Sequence, residues 1–243
     1  MIKIILKETK WIKQSQDEEK FEAVVDLESQ LPKMRKQIKK DLNSDDNRTK
    51  ILALMIALID KAFFRIGNDQ SVKEFNTRGL STLQKRHIRF EKDKTHFVYT
   101  GKDRVDQHKI VSDRKLTNLL KELTKDKGPQ TYIFTYRDKG KDKRLRKKDA
   151  NEYLQDNLGT DFSVRQFRTY HATRMAKEGL DKIKKGDEET VKKKYKEVLD
   201  EVAKRMGHTN SNTAPKHYID ANVLTDFFKK HKIEPPKLVK NLL

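Results

Sequence analysis

The residues of this sequence that could do chemistry are basic side chains and a tyrosine, each in a distinctive local setting. Arg65 stands in Phe63-Phe64-Arg65-Ile66-Gly67-Asn68, at the C-terminal end of a strongly apolar segment. A cation there suits a helix dipole beside a glycine cap, so this arginine has a structural explanation as well as a functional one. Lys102 lies in Gly101-Lys102-Asp103, a turn between two β-rich runs where lysines are usually solvated. Arg165 and Arg168 share one face near the start of a helix in Val164-Arg165-Gln166-Phe167-Arg168-Thr169-Tyr170-His171. Cations are unfavourable at that end unless an anion is bound, so the pair points to a phosphate, with surface ion pairs as the alternative. His208, in Met206-Gly207-His208-Thr209, and Tyr218, in His217-Tyr218-Ile219-Asp220, are ordinary residues when taken singly.

Several chemistries lack their residues. Gly101-Lys102-Asp103 has neither the first glycine nor the hydroxyl of a phosphate-binding GxxxxGK[ST] loop, so no ATP cradle is expected. There is no HExxH, no calcium-binding loop and no GxSxG elbow, and the carboxylates are scattered among lysines. With 0 cysteines the chain holds no disulfide, thiolate zinc site or cysteine nucleophile. The expectation is a reaction without metal, nucleotide or other cofactor.

Charge then suggests the partner. The 243 residues carry 56 Lys+Arg against 37 Asp+Glu, a net charge of +19. A surface of this kind takes a polyanion, and counterion release makes nucleic acid the default. The basic residues are interleaved with amphipathic segments instead of forming a tail, and 11 Phe and 7 Tyr are enough to seed a core. The longest uncharged apolar run, Ile51 to Ile59, is about half of the ~20 residues a membrane helix needs, so no membrane association is expected. The absence of cysteine and of a secretory signal fits an intracellular protein, DNA-associated in nucleus, nucleoid or virion.

The elements that must position these residues follow from periodicity. Ile2 to Leu6 reads as a short strand, and Asp17 to Leu42 as a helix that Pro32 is placed to divide. Ser44 and Asp45 read as the cap of a helix from Thr49 to Phe64, with Gly67 and Asn68 ending it. The runs Leu80–Leu83, Ile88–Phe90, His96–Tyr99 and His108–Val111 predict a small antiparallel sheet of three strands. A helix over Leu116–Leu123 stops at Gly128-Pro129, Tyr132–Phe134 is extended, and a basic tract covers Lys139 to Lys148. Helices are then expected over Ala150–Leu158, Val164–Leu180, Glu188–Met206 and Pro215–His231. The fold class is α+β, predominantly helical.

Taken together, Arg65, Lys102, Arg168, His208 and Tyr218, in that order and in these contexts, resemble the catalytic domain of type IB DNA topoisomerases of the poxvirus and cellular kind. Leu58-Ile59-Asp60-Lys61 before the first motif and Gly79 to Leu83 with Arg86-His87-Ile88 after it also match, so the likeness covers roughly residues 45 to 230. The resemblance implies the tyrosine-recombinase and topoisomerase IB catalytic core. It implies Tyr218 as the nucleophile that forms a 3′-phosphotyrosyl link, Arg65 and Arg168 as clamps on the nonbridging oxygens, His208 as a donor to the same oxygens, and Lys102 as the acid for the departing 5′ oxygen. Arg165 takes an auxiliary place, where this family carries a basic residue.

Supercoils would relax by swivelling of the cut strand and religation, with double-stranded DNA as substrate and no ATP. Lys141, Lys143, Arg144, Arg146, Lys147 and Lys148, with Arg86 and His87, are the expected DNA contacts, gripping phosphates without reading sequence. One site carries all the reactive groups, so a monomer is expected. Residues 46–243 form the catalytic domain; residues 1–45 read as a mostly helical segment, too short for the β clamp domain of the poxvirus-type enzyme. The nearest rival is a tyrosine recombinase or integrase, which shares the fold and the residue set. Against it, Arg165 stands where recombinases commonly carry histidine.

Overall fold

A computed structural model describes residues 27–159, 162–210 and 212–240. The expected strand at Ile2–Leu6 and the beginning of the first helix lie outside the described residues. Helix α1 (27–41) continues through Pro32 without a break, which corrects the expected division there. Its apolar stripe, Leu27, Leu31, Met34 and Ile38, is buried. Helix α2 (Asn47–Ala62) runs through the middle of the protein, and every residue from Ile51 to Asp60 on it is buried. A helix covered all round is apolar all round, as this one is. Its cap is Asp46 and not Ser44 or Asp45: the Asp46 carboxylate accepts from the Thr49 amide at 2.9 Å and the Thr49 hydroxyl at 2.6 Å.

Helix α2 also stops earlier than Gly67. Phe63 turns left-handed, with φ 56°, and its amide still bonds the Ile59 carbonyl. That frees residues 63–68 to run as a separate segment, whose Asn68 caps α3 (Asp69–Phe75) through the Ser71 amide at 2.7 Å. Leu80–Thr82, expected as strand, is a 3₁₀ turn. The reason is a close crossing. A Cβ on Gly79 would lie 2.5 Å from the Gly67 nitrogen and 2.6 Å from the Arg65 carbonyl, so the two stretches pass backbone to backbone. The Leu80 and Ser81 amides bond the carbonyls of Arg65 and Ile66, both at 2.8 Å.

The three-stranded sheet has the order β1 (Ile88–Glu91), β2 (Lys94–Thr100), β3 (Asp106–Ser112), all antiparallel. It is followed by α4 (Arg114–Thr124), capped by Asp113. A second sheet is the hairpin β4 (Thr135–Asp138) and β5 (Lys141–Arg144), so strand begins beyond the expected Tyr132–Phe134 and takes in part of the basic tract. The rest of that tract opens α5 (Lys147–Leu158).

Helices α6 (Val164–Asp181) and α7 (Glu188–Met206) follow as expected. The expected single helix from Pro215 to His231 is instead two, α8 (Thr213–His217) and α9 (Ala221–His231), with α10 (Lys237–Lys240) after them. Asp220 causes the break by capping α9 through the Asn222 amide at 2.8 Å. Two buried apolar clusters result, one from Leu27 to Tyr170 and one from Ala172 to Val239. They meet along α6, and Arg65, Arg168, His208 and Tyr218 gather at that junction. Among the described residues no helix is long and apolar enough to cross a membrane.

Candidate active site

Four of the sequence-predicted residues touch one another. The segment after α2 delivers Arg65, whose Nη1 donates to the Tyr218 hydroxyl at 2.6 Å and whose Nη2 lies 2.9 Å from His208 Nε2. Helix α6 delivers Arg168, which is 4% exposed. Its guanidinium donates to the Phe63 carbonyl through Nη1 and to the Met206 carbonyl at 3.0 Å through Nη2. The same Nη2 is 3.3 Å from His208 Nε2. Arginine has only donors, so His208 Nε2 is the acceptor and the imidazole proton sits on Nδ1.

Each side chain is aimed by its backbone. Gly207 ends α7 left-handed at φ 74°, and the His208 amide closes the turn on the Ala203 carbonyl at 2.8 Å. Three successive carbonyls at that helix end are held from outside: Arg205 by Lys109 at 3.4 Å, Met206 by Arg168 at 3.0 Å and Gly207 by Gln107 at 3.1 Å. Donors, one of them the Arg168 cation, suit the negative end of a helix. Tyr218 caps α8, and its carbonyl accepts from the Thr173 hydroxyl of α6 at 3.1 Å. The nucleophile candidate is thus tied to the helix that carries Arg168.

The electrostatics follow from crowding cations in a buried place. Burial opposes ionisation of the Tyr218 phenol, but the charges of Arg168 and Arg65 outweigh it and hold the pKa below the ordinary value. Both guanidiniums also face the ring, at 5.2 Å for Arg168 and 5.6 Å for Arg65 from its centroid. Burial, then Arg168 and Arg65, push His208 down to about 3, so it is a neutral acceptor at pH 7. Burial and Arg65 lower Arg168 to about 10. A site with this much uncompensated positive potential is built for an anion.

Lys102 opens the turn between β2 and β3 and is exposed. It makes no hydrogen bond with the other four among the described residues, yet it lines the same cavity, about 360 Å³, as Arg65, Arg168 and Tyr218. Arg165 and Lys147 line that cavity as well. The remaining basic residues divide. Lys141 and Lys147 are exposed and form no ion pair among the described residues. Lys143 pairs with Asp138 at 2.5 Å, and Lys148 with Glu152 at 3.5 Å. Arg144 is bound to Asp69 and stacks 4.2 Å over the Tyr132 ring, which ties the hairpin to α3; Arg146 also faces Asp69, at 3.6 Å.

Arg86 is exposed in the 3₁₀ turn Lys85–His87. His87 accepts from the Gln84 amide at 2.9 Å, and burial with Arg78 and Arg86 lowers it to about 4, so it is an uncharged brace at pH 7. Among the described residues no group of His, Cys, Asp or Glu is arranged to hold a metal.

Sequence reasoning passed over Arg78, Gln107 and Lys109, which border the site, and the pair Asp60 and His171, which joins α2 to α6 at 2.8 Å. The signal for Lys109 was its strand: alternation puts it on the same face as Val111, which is buried.

Comparison with known proteins matches the chain to one family. The model for the catalytic core of eukaryotic DNA topoisomerase I matches residues 9–239. The chain is 24% identical over 237 residues to "DNA topoisomerase 1B" of Acanthamoeba polyphaga mimivirus, covering 92% of this chain and 70% of that protein. It is 27% identical over 193 residues to "DNA topoisomerase 1" of Homo sapiens, covering 76% of this chain and 24% of the human protein. Among solved structures, the XerH site-specific recombinase bound to palindromic difH substrate superposes with a TM-score of 0.50 at 16% identity, over 82% of this chain and 50% of that one. That last likeness is one of fold. The chain spans most of the mimivirus relative, half of the recombinase and about a quarter of the human relative.

Proposed function

Because the chain belongs to the eukaryotic DNA topoisomerase I catalytic-core family, we propose that it is a type IB DNA topoisomerase that relaxes supercoiled DNA as a monomer, without ATP or metal. The observation that carries this reading is the Tyr218 hydroxyl held 2.6 Å from Arg65, in a buried cluster with Arg168 and His208 and, among the described residues, with no carboxylate partner.

Transesterification of a phosphodiester needs an attacking oxygen, stabilisation of the charge on the five-coordinate phosphorus and a proton for the leaving oxygen. The Tyr218 phenol gives up its proton to solvent, its oxygen attacks phosphorus and the 5′ oxygen departs, leaving a 3′-phosphotyrosyl bond. Arg65 and Arg168 are permanent cations whose planar forks fit the nonbridging oxygens. In the free protein those donors rest on the tyrosine hydroxyl, on His208 and on carbonyls, so the phosphate inherits donors already in place. His208 serves best as a donor to a nonbridging oxygen. Its Nε2 is an acceptor in the free protein, and a phosphate oxygen in place of the arginine donors favours the neutral tautomer that carries the proton on Nε2, with no net proton uptake. Lys102, exposed on its turn beside the cavity, protonates the 5′ oxygen.

The phosphotyrosyl bond conserves the energy of the original ester, so reversal by the 5′ hydroxyl requires no cofactor. While the link persists the free end swivels and torsional strain drains away. Exposed Lys141 and Lys147, on β5 and at the start of α5, with Arg165 in the cavity, supply phosphate contacts that position the duplex.

The test is relaxation of negatively supercoiled plasmid in EDTA without ATP, with Tyr218→Phe alongside. Relaxed topoisomers from the parent and none from the variant are expected, with a 3′-linked adduct on a nicked suicide substrate. A plasmid left supercoiled across a range of salt overturns the reading, and cleavage confined to one recombination site would assign the chain to the recombinases.

A further inference from the structure

Lys109 takes part in none of the steps above, yet it forms part of the wall of the reaction centre. It points inward from β3 and is 8% exposed. Its Nζ has a single acceptor, the Arg205 carbonyl at a long 3.4 Å, and lies 5.7 Å from the centroid of the Phe64 ring. A narrow cleft lined by Arg65, Tyr99, Lys102, Arg168 and Gly207 admits this amine to the same space as the reactive groups.

On the side of the reaction centre, what faces Lys109 is cationic or neutral. The segment after α2 contributes Arg65, α6 contributes Arg168, and the β2–β3 turn contributes Lys102. His208 follows α7, and the Tyr99 phenol of β2 is pushed well above its ordinary value by burial. On the other side an outer cavity of about 720 Å³ brings Asp106, Asp200 and Glu201 together with Lys61, Lys204 and Arg205. None of those carboxylates forms an ion pair with Lys109 among the described residues.

A buried ammonium with no counter-ion and two guanidiniums nearby is unstable relative to the amine. Burial, then Arg168 and Arg65, bring Lys109 down to about 7. An anion held by Arg65 and Arg168 in the neighbouring cavity reverses the balance, because its charge is the one the site lacks.

We propose that the Lys109 amine is a further proton-binding group of this reaction centre, charged when a DNA phosphodiester enters and neutral again when it leaves. The proposal rests on the topoisomerase reading. The proton comes from solvent: the amine lone pair takes one proton as the phosphate arrives and returns it on release. The free site is thereby spared one more positive charge, and the occupied site gains it. Lys109 acts through the field it adds and through its hold on the Arg205 carbonyl, so it is a positioning residue.

Proton uptake is the direct readout. With Tyr218→Phe to stop the reaction at binding, a short duplex is titrated calorimetrically in two buffers of different ionisation enthalpy. Uptake should approach one proton at pH 8 and shrink at pH 6, where the free amine is already charged. Adding Lys109→Met should remove most of the pH 8 uptake, whereas adding His208→Asn, which deletes the other buried base, should leave it. In the otherwise unaltered chain Lys109→Met should slow cleavage about tenfold while raising the melting temperature at pH 7, since an apolar group replaces a buried amine. A structural role alone would lower both. Unchanged uptake in the Lys109→Met protein, or loss of uptake with His208→Asn, overturns the proposal while relaxation by the parent chain stands. Absence of relaxation by the parent chain overturns the reading on which it rests.

Discussion

The Asp60 carboxylate is the place where stability and the site's assembly meet, and replacing it by asparagine gives a result whose size can be worked out in advance. Asp60 is 9% exposed. It accepts from Arg35 Nε at 2.8 Å, from Arg35 Nη2 at 3.0 Å and from His171 Nε2 at 2.8 Å. Burial alone would raise its pKa, but the hydrogen bonds from His171 and Arg35 outweigh that and hold it at about 2, against an ordinary 3.8. At 1.36 kcal/mol per tenfold, the ionised carboxylate adds ~2.5 kcal/mol to folding.

The sign follows from proton linkage: the unfolded chain binds the proton more tightly, so the contribution is complete well above pH 4 and is lost as pH falls through 2. Asp60→Asn should therefore cost ~2.5 kcal/mol in urea unfolding at pH 7, or about 5–10 °C in melting temperature for a chain of this size. At pH 3 the gap between the two proteins should shrink to roughly half. A gap under about 0.5 kcal/mol at pH 7, or one equal at pH 3 and pH 7, would refute the assignment of the stabilisation to this carboxylate. Because the same pair joins α2 to α6, the variant assayed well below its melting point should also cleave DNA more slowly.

Arg168→Lys keeps a charge but cannot bridge the Phe63 and Met206 carbonyls, so single-turnover cleavage should fall at least 10²-fold, the scale for one lost transition-state donor. Gly207→Ala places a Cβ about 2.0 Å from Gln107 Oε1 in a left-handed turn at φ 74°; a loss of ~1–2 kcal/mol in chemical unfolding is expected. Gln107→Ala should relieve only the steric share of that loss. Plasmid binding by Tyr218→Phe should weaken linearly in log affinity against log salt, and Lys141→Ala should reduce the slope by about one phosphate contact.

The sequence disclosed the helices best where an apolar stripe is long, as in α2 and α7, and least where backbone contacts decide the structure. Leu80 to Thr82 has strand-like residues but turns as a 3₁₀ segment, because Gly79 must pass against Gly67 and the Arg65 carbonyl. No local pattern encodes a crossing of that kind. The break at Tyr218 was equally hidden: Pro215 to His231 keeps helical spacing, and only the capping by Asp220 interrupts it. Arg65, Arg168, His208 and Tyr218 could be grouped in advance because each motif is local and their order is informative, although nothing in the spacing gives a 2.6 Å contact across 153 residues. Lys109 and Arg144 escaped for opposite reasons. Lys109 is a charged residue on the buried face of a strand, and Arg144 belongs to a basic run yet is spent on Asp69 and Tyr132.

The meeting of two apolar clusters along α6 has a mechanical consequence. Arg65 and Lys102 are anchored with the first cluster, while His208 and Tyr218 are anchored with the second. Helix α6 is the beam common to both, and it bears Arg168 where they join. The link from α6 to α7, Lys182 to Asp187, is mostly exposed and carries no site residue. A chain severed there leaves the arginines in one piece and the nucleophile in the other. Strand cleavage then becomes a report of reunion between the two halves, and a molecule that forms its bond to DNA with one half must grip the phosphate with the other.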